Sequence, residues 1–150
     1  MQEAISPVCA PEVAKTLGSI ADLEHHTILR DALQTVGSPP SWEFWAEEAG
    51  FTLPQLPLSR QFGQANMVIQ AAIQGLGVAM GRGPLVADAI AQGLLVCPFE
   101  NVVASQFSYW LVCRHDALKS QKVRLFCEWL HEQTAAQDAE SLRGNTVPTH

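Results

Sequence analysis

The chain has 150 residues and a mass of 16.3 kDa, a size that sets the expectation of one domain with a buried core. Hydrophobic residues make up 47% and charged residues 16%, with a mean hydropathy of +0.07, which excludes a disordered chain and a coiled coil. Nine Lys and Arg against fifteen Asp and Glu give a net charge of −6. Gripping nucleic acid through its phosphates needs the opposite sign, so direct DNA binding by this chain alone is disfavoured.

Residues 1–7 (MQEAISP) lack a basic region followed by a long apolar run, so they are no secretory signal. No apolar run of about 18 residues occurs, so nothing is expected to span a membrane. Cys9, Cys97, Cys113 and Cys127 are widely spaced, without C-x-x-C or paired His spacing; no metal site is expected. They read as reduced thiols of a cytoplasmic protein, three of them among apolar neighbours.

Residues 6–11 (SPVCAP) look like a strand end broken by prolines, and residues 11–17 like a short helix with Pro11 at its first position, closed by Gly18. Ser19 caps a second short helix, with Asp22 in its third position, ending near His25 and His26. Residues 27–30 read as a short strand. Residues 31–41, with Gly37, Ser38, Pro39 and Pro40, read as a loop. Ser41 then caps a helix over 42–49 that Gly50 stops.

A strand is predicted over 56–62 and a helix over about 64–74, where Met67, Val68, Ala71 and Ala72 recur at helical spacing. Gly75-Leu76-Gly77 ends it, and Val78-Ala79-Met80 reads as a short buried strand. Gly81-Arg82-Gly83-Pro84 turns into a helix over 84–91 that Gly93 terminates. Apolar strands are predicted over 94–99 and 107–113. A last helix over about 120–133 places Val123, Phe126, Cys127 and Leu130 on one face, and from Thr134 the tail reads as disordered. Strands alternating with helices indicate an α/β fold with a largely parallel sheet.

Few residues offer chemistry. Gly75-Leu76-Gly77 closes a helix, and Met80 stands where a dinucleotide fingerprint needs its third glycine, so that reading is rejected. Gly81, Arg82 and Gly83 run from a strand end into a helix. They either present backbone N–H groups and the Arg82 fork to an anion, or form a tight turn with a solvated Arg. Residues 63–66 (Gly63, Gln64, Ala65, Asn66) sit in an equivalent place, where Gln64 and Asn66 serve either a ligand or helix capping. Ligands of open α/β sheets lie outside the carboxyl ends of strands, so both loops can face one cleft. His25, His26 and His115 have no nucleophile or carboxylate at catalytic spacing, and no hydrolase motif occurs. Trp42, Phe44, Trp45 and Trp129 read as packing residues. Nothing speaks for an enzyme, and no cofactor is indicated.

Three segments in order carry a family resemblance: 6–11 (SPVCAP) with 23–29 after it, 67–80 (MVIQAAIQGLGVAM), and 93–99 (GLLVCPF) with 108–113 (SYWLVC). Over about residues 5–133 the chain resembles the effector-binding region of LysR-type transcriptional regulators. The nearest branch is the one containing the glycine-cleavage activator and the β-lactamase regulator. The resemblance implies a two-lobed, periplasmic-binding-protein-like (type 2) α/β fold, with the complete second lobe and the C-terminal part of the first. Residues 1–9 would be an inter-lobe strand, 10–107 lobe two, 108–133 the returning strand and last helix of lobe one, and 134–150 a tail. The winged helix-turn-helix, the linker helix and the opening strands of lobe one would be missing.

It further implies a small-molecule effector (an amino acid, organic acid, purine or peptide) in the inter-lobe cleft, held by Gly63, Gln64, Ala65, Asn66, Gly81, Arg82, Gly83 and Tyr109. Family members often carry a small hydroxyl residue in the first of these loops; here Gln64 and Ala65 stand instead. Deprived of its usual partner strands, the face of Val123, Phe126, Cys127 and Leu130 would drive self-association or pairing with a full-length relative. The other reading is a free-standing small-molecule binding module of periplasmic-binding-protein type unrelated to transcription, whose exported version the missing signal peptide disfavours.

Overall fold

A computed structural model describes residues 2–32 and 40–141. The strands are β1 (Gln2–Val8), β2 (Ile28–Asp31), β3 (Ser59–Phe62), β4 (Val78–Arg82) and β5 (Val103–Ser108). The α-helices are α1 (Pro11–Ala14), α2 (Trp42–Glu48), α3 (Ala65–Ile73), α4 (Gly83–Ala91) and α5 (Gln121–Ser141), with 3₁₀ turns at Ile20–His25 and His115–Lys119. The strands form one sheet in the order β3-β2-β4-β1-β5.

Side-chain alternation splits the sheet into two apolar faces. Ile5, Ile28, Val78 and Met80 meet Leu23, Trp42, Phe44, Trp45 and Phe99 on one side. Val8, Leu29 and Ala79 meet Val68, Ile69, Ala71, Ala72, Val86 and Leu95 on the other. A sheet covered on both faces needs apolar residues at consecutive positions, which is why its strands read as short runs rather than alternating ones.

Local chemistry sets the helix starts. Ser41 Oγ accepts the Phe44 amide at 3.1 Å and opens α2. Asp22 accepts the Ser19 amide at 2.7 Å and opens the first 3₁₀ turn. Trp45 anchors α2: its indole N–H donates to the Asn101 carbonyl at 2.8 Å, and its ring lies 4.8 Å from Phe51 edge-on and 6.1 Å from Phe99 in a stack. Gly77 is fixed by close approach, because a Cβ there would overlap the Thr27 carbonyl that accepts the Val78 amide at 2.9 Å.

Several expectations are corrected. The sheet is mixed: β3, β2 and β4 are parallel, whereas β1 runs antiparallel to both β4 and β5. The strand expected over 94–99 reduces to isolated bridging at Val96 and Cys97, with Val96 opposite Cys9. Pro98 has no N–H to extend it, and Pro11 carries the partner segment away into α1. The strand expected over 107–113 lies earlier, because Gln2 pairs with Ser108 and Tyr109 onward has no ladder partner among the described residues. The strand over 56–62 is paired only from Ser59, where the four-residue β2 begins to face it. The first helix stops at Ala14 rather than near Leu17.

The glycine turn at 81–83 is also corrected: Gly81 and Arg82 finish β4, Gly83 begins α4, and neither glycine has positive φ. The last helix runs to Ser141, past Thr134, since residues 134–141 include Thr134, Ala135, Ala136, Gln137 and Glu140 with no Gly or Pro to stop it. The remainder of the expected tail, 142–150, and residues 33–39 of the expected loop lie outside the described residues.

Candidate functional site

Two adjacent parallel strands, β2 and β4, end in charged residues, Asp31 and Arg82. Both side chains line an open recess with Ala65, Val68, Ile69, Met80 and Leu85. The recess is a shallow depression open to solvent, with free space for about one water molecule. It lies outside the carboxyl ends of the strands, where α/β sheets place ligands. The first residue of α3 and the third of α4 reach it, and neither helix has a side-chain N-cap.

Arg82 is not a solvated turn residue. Its Nε donates to Glu3 Oε1 at 2.6 Å and its Nη2 lies 2.6 Å from the same oxygen. The Tyr109 hydroxyl donates to that oxygen at 3.2 Å. Glu3 is fully buried and its Oε2 has no hydrogen-bond partner. One carboxylate thus joins the start of β1, the end of β4 and the segment that follows β5. Burial pushes the Tyr109 phenol up, with Arg82 opposing that and Glu3 adding to it.

Of the residues expected at the site, Ala65 and Arg82 line the recess. Gly63, Gln64 and Asn66 are exposed beside it at the entry to α3. Gly81 is buried against β1, since a Cβ there would come within 2.7 Å of Val8 Cγ1. Gly83 stands over the Ala4 carbonyl. Gly81 therefore lets β1 approach β4, whereas a Cβ at Gly83 would make only ordinary contact with β1. Tyr109 reaches the site through Glu3. Sequence reasoning missed Glu3 and Asp31. Asp31 was findable, because it ends a strand as Arg82 does; Glu3 was taken only as part of a terminus without a signal.

The second candidate region lies apart. In α5, Val123, Cys127 and Leu130 are half-buried, whereas Leu125, Phe126 and Trp129 are more than half exposed. Phe126 and Trp129 rings pair at 5.9 Å, and the helix packs chiefly on the preceding 3₁₀ turn rather than on the sheet. Trp110 and Val112, in the unpaired segment before it, are 84% and 86% exposed. Elsewhere, Cys9 and Cys97 are free thiols under the sheet; burial, then the neighbouring Cys97, pushes Cys9 up to about 12. Among the described residues no His, Cys, Asp and Glu group could hold a metal ion. No helix there is long and apolar enough to cross a membrane.

The model of the LysR substrate binding domain matches residues 1–135. This chain belongs to that family. Among curated members, the glycine cleavage system transcriptional activator of Escherichia coli K12 is 33% identical over 138 residues, covering 90% of this chain and 44% of the relative. The transcriptional activator AmpR of Pseudomonas aeruginosa is 32% identical over 135 residues, covering 89% and 43%. The LysR-type chain described above therefore spans less than half the length of these relatives.

The effector domain of Pseudomonas aeruginosa AmpR superposes with a TM-score of 0.71 at 31% identity, over 95% of this chain and 66% of that one. The AmpR effector-binding domain of Citrobacter freundii has the same fold, with a TM-score of 0.63 at 20% identity over 92% and 65%. The α/β architecture is that of a LysR-type, periplasmic-binding-protein-like effector domain, as the resemblance implied.

Proposed function

We infer that the chain is the effector-sensing part of a LysR-type transcriptional regulator, non-catalytic and cytoplasmic. The observation that carries this is the recess itself. In a LysR substrate-binding fold, two parallel strands deliver Asp31 and Arg82 to one open concavity floored by apolar side chains. A small molecule there engages Ala65 and Arg82 directly, with Gly63, Gln64 and Asn66 at the rim. Tyr109 is linked to the same point through Glu3. Occupancy shifts the population of arrangements about the β1 and Tyr109 crossings, which is how a ligand reaches distant parts of such a protein.

In this reading residues 10–107 are one lobe, 1–9 and the unpaired segment and helix within 108–133 belong to the crossing and to the other lobe, and the sequence from 134 is peripheral. DNA reading falls to a separate helix-turn-helix, since a chain of net charge −6 does not grip phosphates. Val123, Phe126, Cys127 and Leu130, with Trp129, make the contact to a second copy or a full-length relative.

The test is a nuclear magnetic resonance titration of the isotope-labelled chain with a metabolite library of amino acids, organic acids, purines and peptides. Saturable shifts centred on Asp31, Ala65, Arg82 and Leu85 are expected for at least one class. Binding confined to other surfaces, or none across the library, refutes the reading.

A further inference from the structure

The stripe that α5 leaves exposed carries a charge at its head. Leu125, Phe126 and Trp129 are each more than half exposed, and Lys122 precedes them at helical spacing on the same face. The Phe126 and Trp129 rings pair at 5.9 Å, so the stripe is one surface. Lys119, just before the helix, is exposed as well, and neither lysine makes an ion pair among the described residues. Lysines at a helix start meet the positive end of its dipole, and the first turn of α5 has no acidic residue to offset this.

The end of α2 presents the opposite arrangement. Its last turn holds Glu47 and Glu48, both exposed and unpaired, with no basic residue beside them. Carboxylates there oppose the negative end of that dipole. Outside α5 they are the only neighbouring pair of exposed carboxylates without an ion pair among the described residues. Residues 49–58, which follow, carry no charge and leave Phe51 and Leu53 half-buried and Leu58 more than half exposed. An apolar stripe headed by lysines and an apolar segment headed by carboxylates are complements. Within one copy α5 packs chiefly on the 3₁₀ turn before it, which leaves its outer face for another molecule.

We propose that these two surfaces meet between copies of this chain. The stripe of α5 from one copy lies on the end of α2 and residues 49–58 of the other, with Lys119 and Lys122 against Glu47 and Glu48. Each copy carries both surfaces, so a two-fold pair makes the contact twice. The inference rests on the self-association role given to α5 above and names the surface on which that helix docks.

The test measures the mass of the 150-residue chain by analytical ultracentrifugation across a concentration series. Lys119→Glu/Lys122→Glu and Glu47→Lys/Glu48→Lys are each expected to associate about tenfold or more weakly than the parent, since like charges then face each other. An equimolar mixture of the two should recover the parent affinity, because every lysine pair again meets a carboxylate pair. Either swap improves the match of charge to dipole in its own helix, so weaker association does not report unfolding. Arg124→Glu, on the far side of α5 from the stripe, should leave the affinity unchanged.

No recovery on mixing, or an equal loss in Arg124→Glu, overturns the inference. Association that both swaps leave intact while Phe126→Glu abolishes it overturns it too, and leaves the self-association role of α5 standing. A chain that stays monomeric at every concentration overturns both.

Discussion

Glu3 and Arg82 are unequally buried, and that asymmetry predicts unequal costs when either is removed. Arg82→Met leaves a carboxylate with no solvent exposure and a second oxygen already unpartnered. Stranding a buried charge costs roughly 3–5 kcal/mol, a large share of the about 5–15 kcal/mol that holds a domain folded. Glu3→Leu strands a guanidinium whose side chain is 30% exposed and reaches water, so the cost falls to about 1–2 kcal/mol.

The double variant Glu3→Leu/Arg82→Met should return to within about 1 kcal/mol of the parent chain, because apolar replacement of a buried pair removes both desolvation terms. Tyr109→Phe is the control: its hydrogen bond to Glu3 is 3.2 Å long and partly exposed, and losing it costs about 0.5–1 kcal/mol. Urea denaturation at constant slope measures all four. If Glu3→Leu costs as much as Arg82→Met, or the double variant is no better than Arg82→Met, the carboxylate is not sealed as described.

Five further outcomes are expected. Gly77→Ala should cost about 3 kcal/mol or more, from overlap with the Thr27 carbonyl and loss of its bond to the Val78 amide. At Gly50, where φ is +79° and nothing lies within 4 Å, alanine should cost only about 1 kcal/mol; thermal unfolding separates the two. Native-state alkylation near pH 8 should label Cys113, which is exposed, and spare Cys9, whose thiol is held near 12 by burial; mass spectrometry after digestion reads this.

Hydrogen bonding from the Ser19 amide, then from its hydroxyl, lowers Asp22 from 3.8, so its stabilisation is present above that value and lost as pH falls through the lower folded value. Asp22→Asn should therefore flatten the acid limb of a pH–stability curve below about pH 4. Phe126→Glu should reduce self-association measured by light scattering, since that ring is more than half exposed on α5; an unchanged mass at matched concentration refutes the role given to that helix.

The parts of the fold legible in the sequence were those decided by neighbours in the chain. Ser41 before Trp42, and the stripe of Val68, Ala71 and Ala72, specify α2 and α3 whatever else the molecule does. Parts decided by distant partners were misread. Residues 107–113 have the composition of a strand, yet β5 stops where Gln2 ends the ladder. Leu94, Leu95 and Val96 have it too, but Pro98 and Pro11 leave isolated bridging there. Arg82 was visible as an anion receptor because it sits at a strand end before a helix. Its engagement by Glu3 was not, because nothing local tells residue 3 that residue 82 lies beside it.

The place of β1 in the sheet bears on how the chain reaches this state. It lies between β4 and β5, so Val8 pairs with Ala79 and Ile5 with both Arg82 and Val103. The parallel contact of Ile28 with Val78 likewise waits on two helices and a strand between them. During synthesis β1 would therefore stay unpaired until strands about seventy to a hundred residues later are made. Closing such loops before any contact rewards them is slow. The same strand is open to chaperones or to another nascent copy throughout that interval.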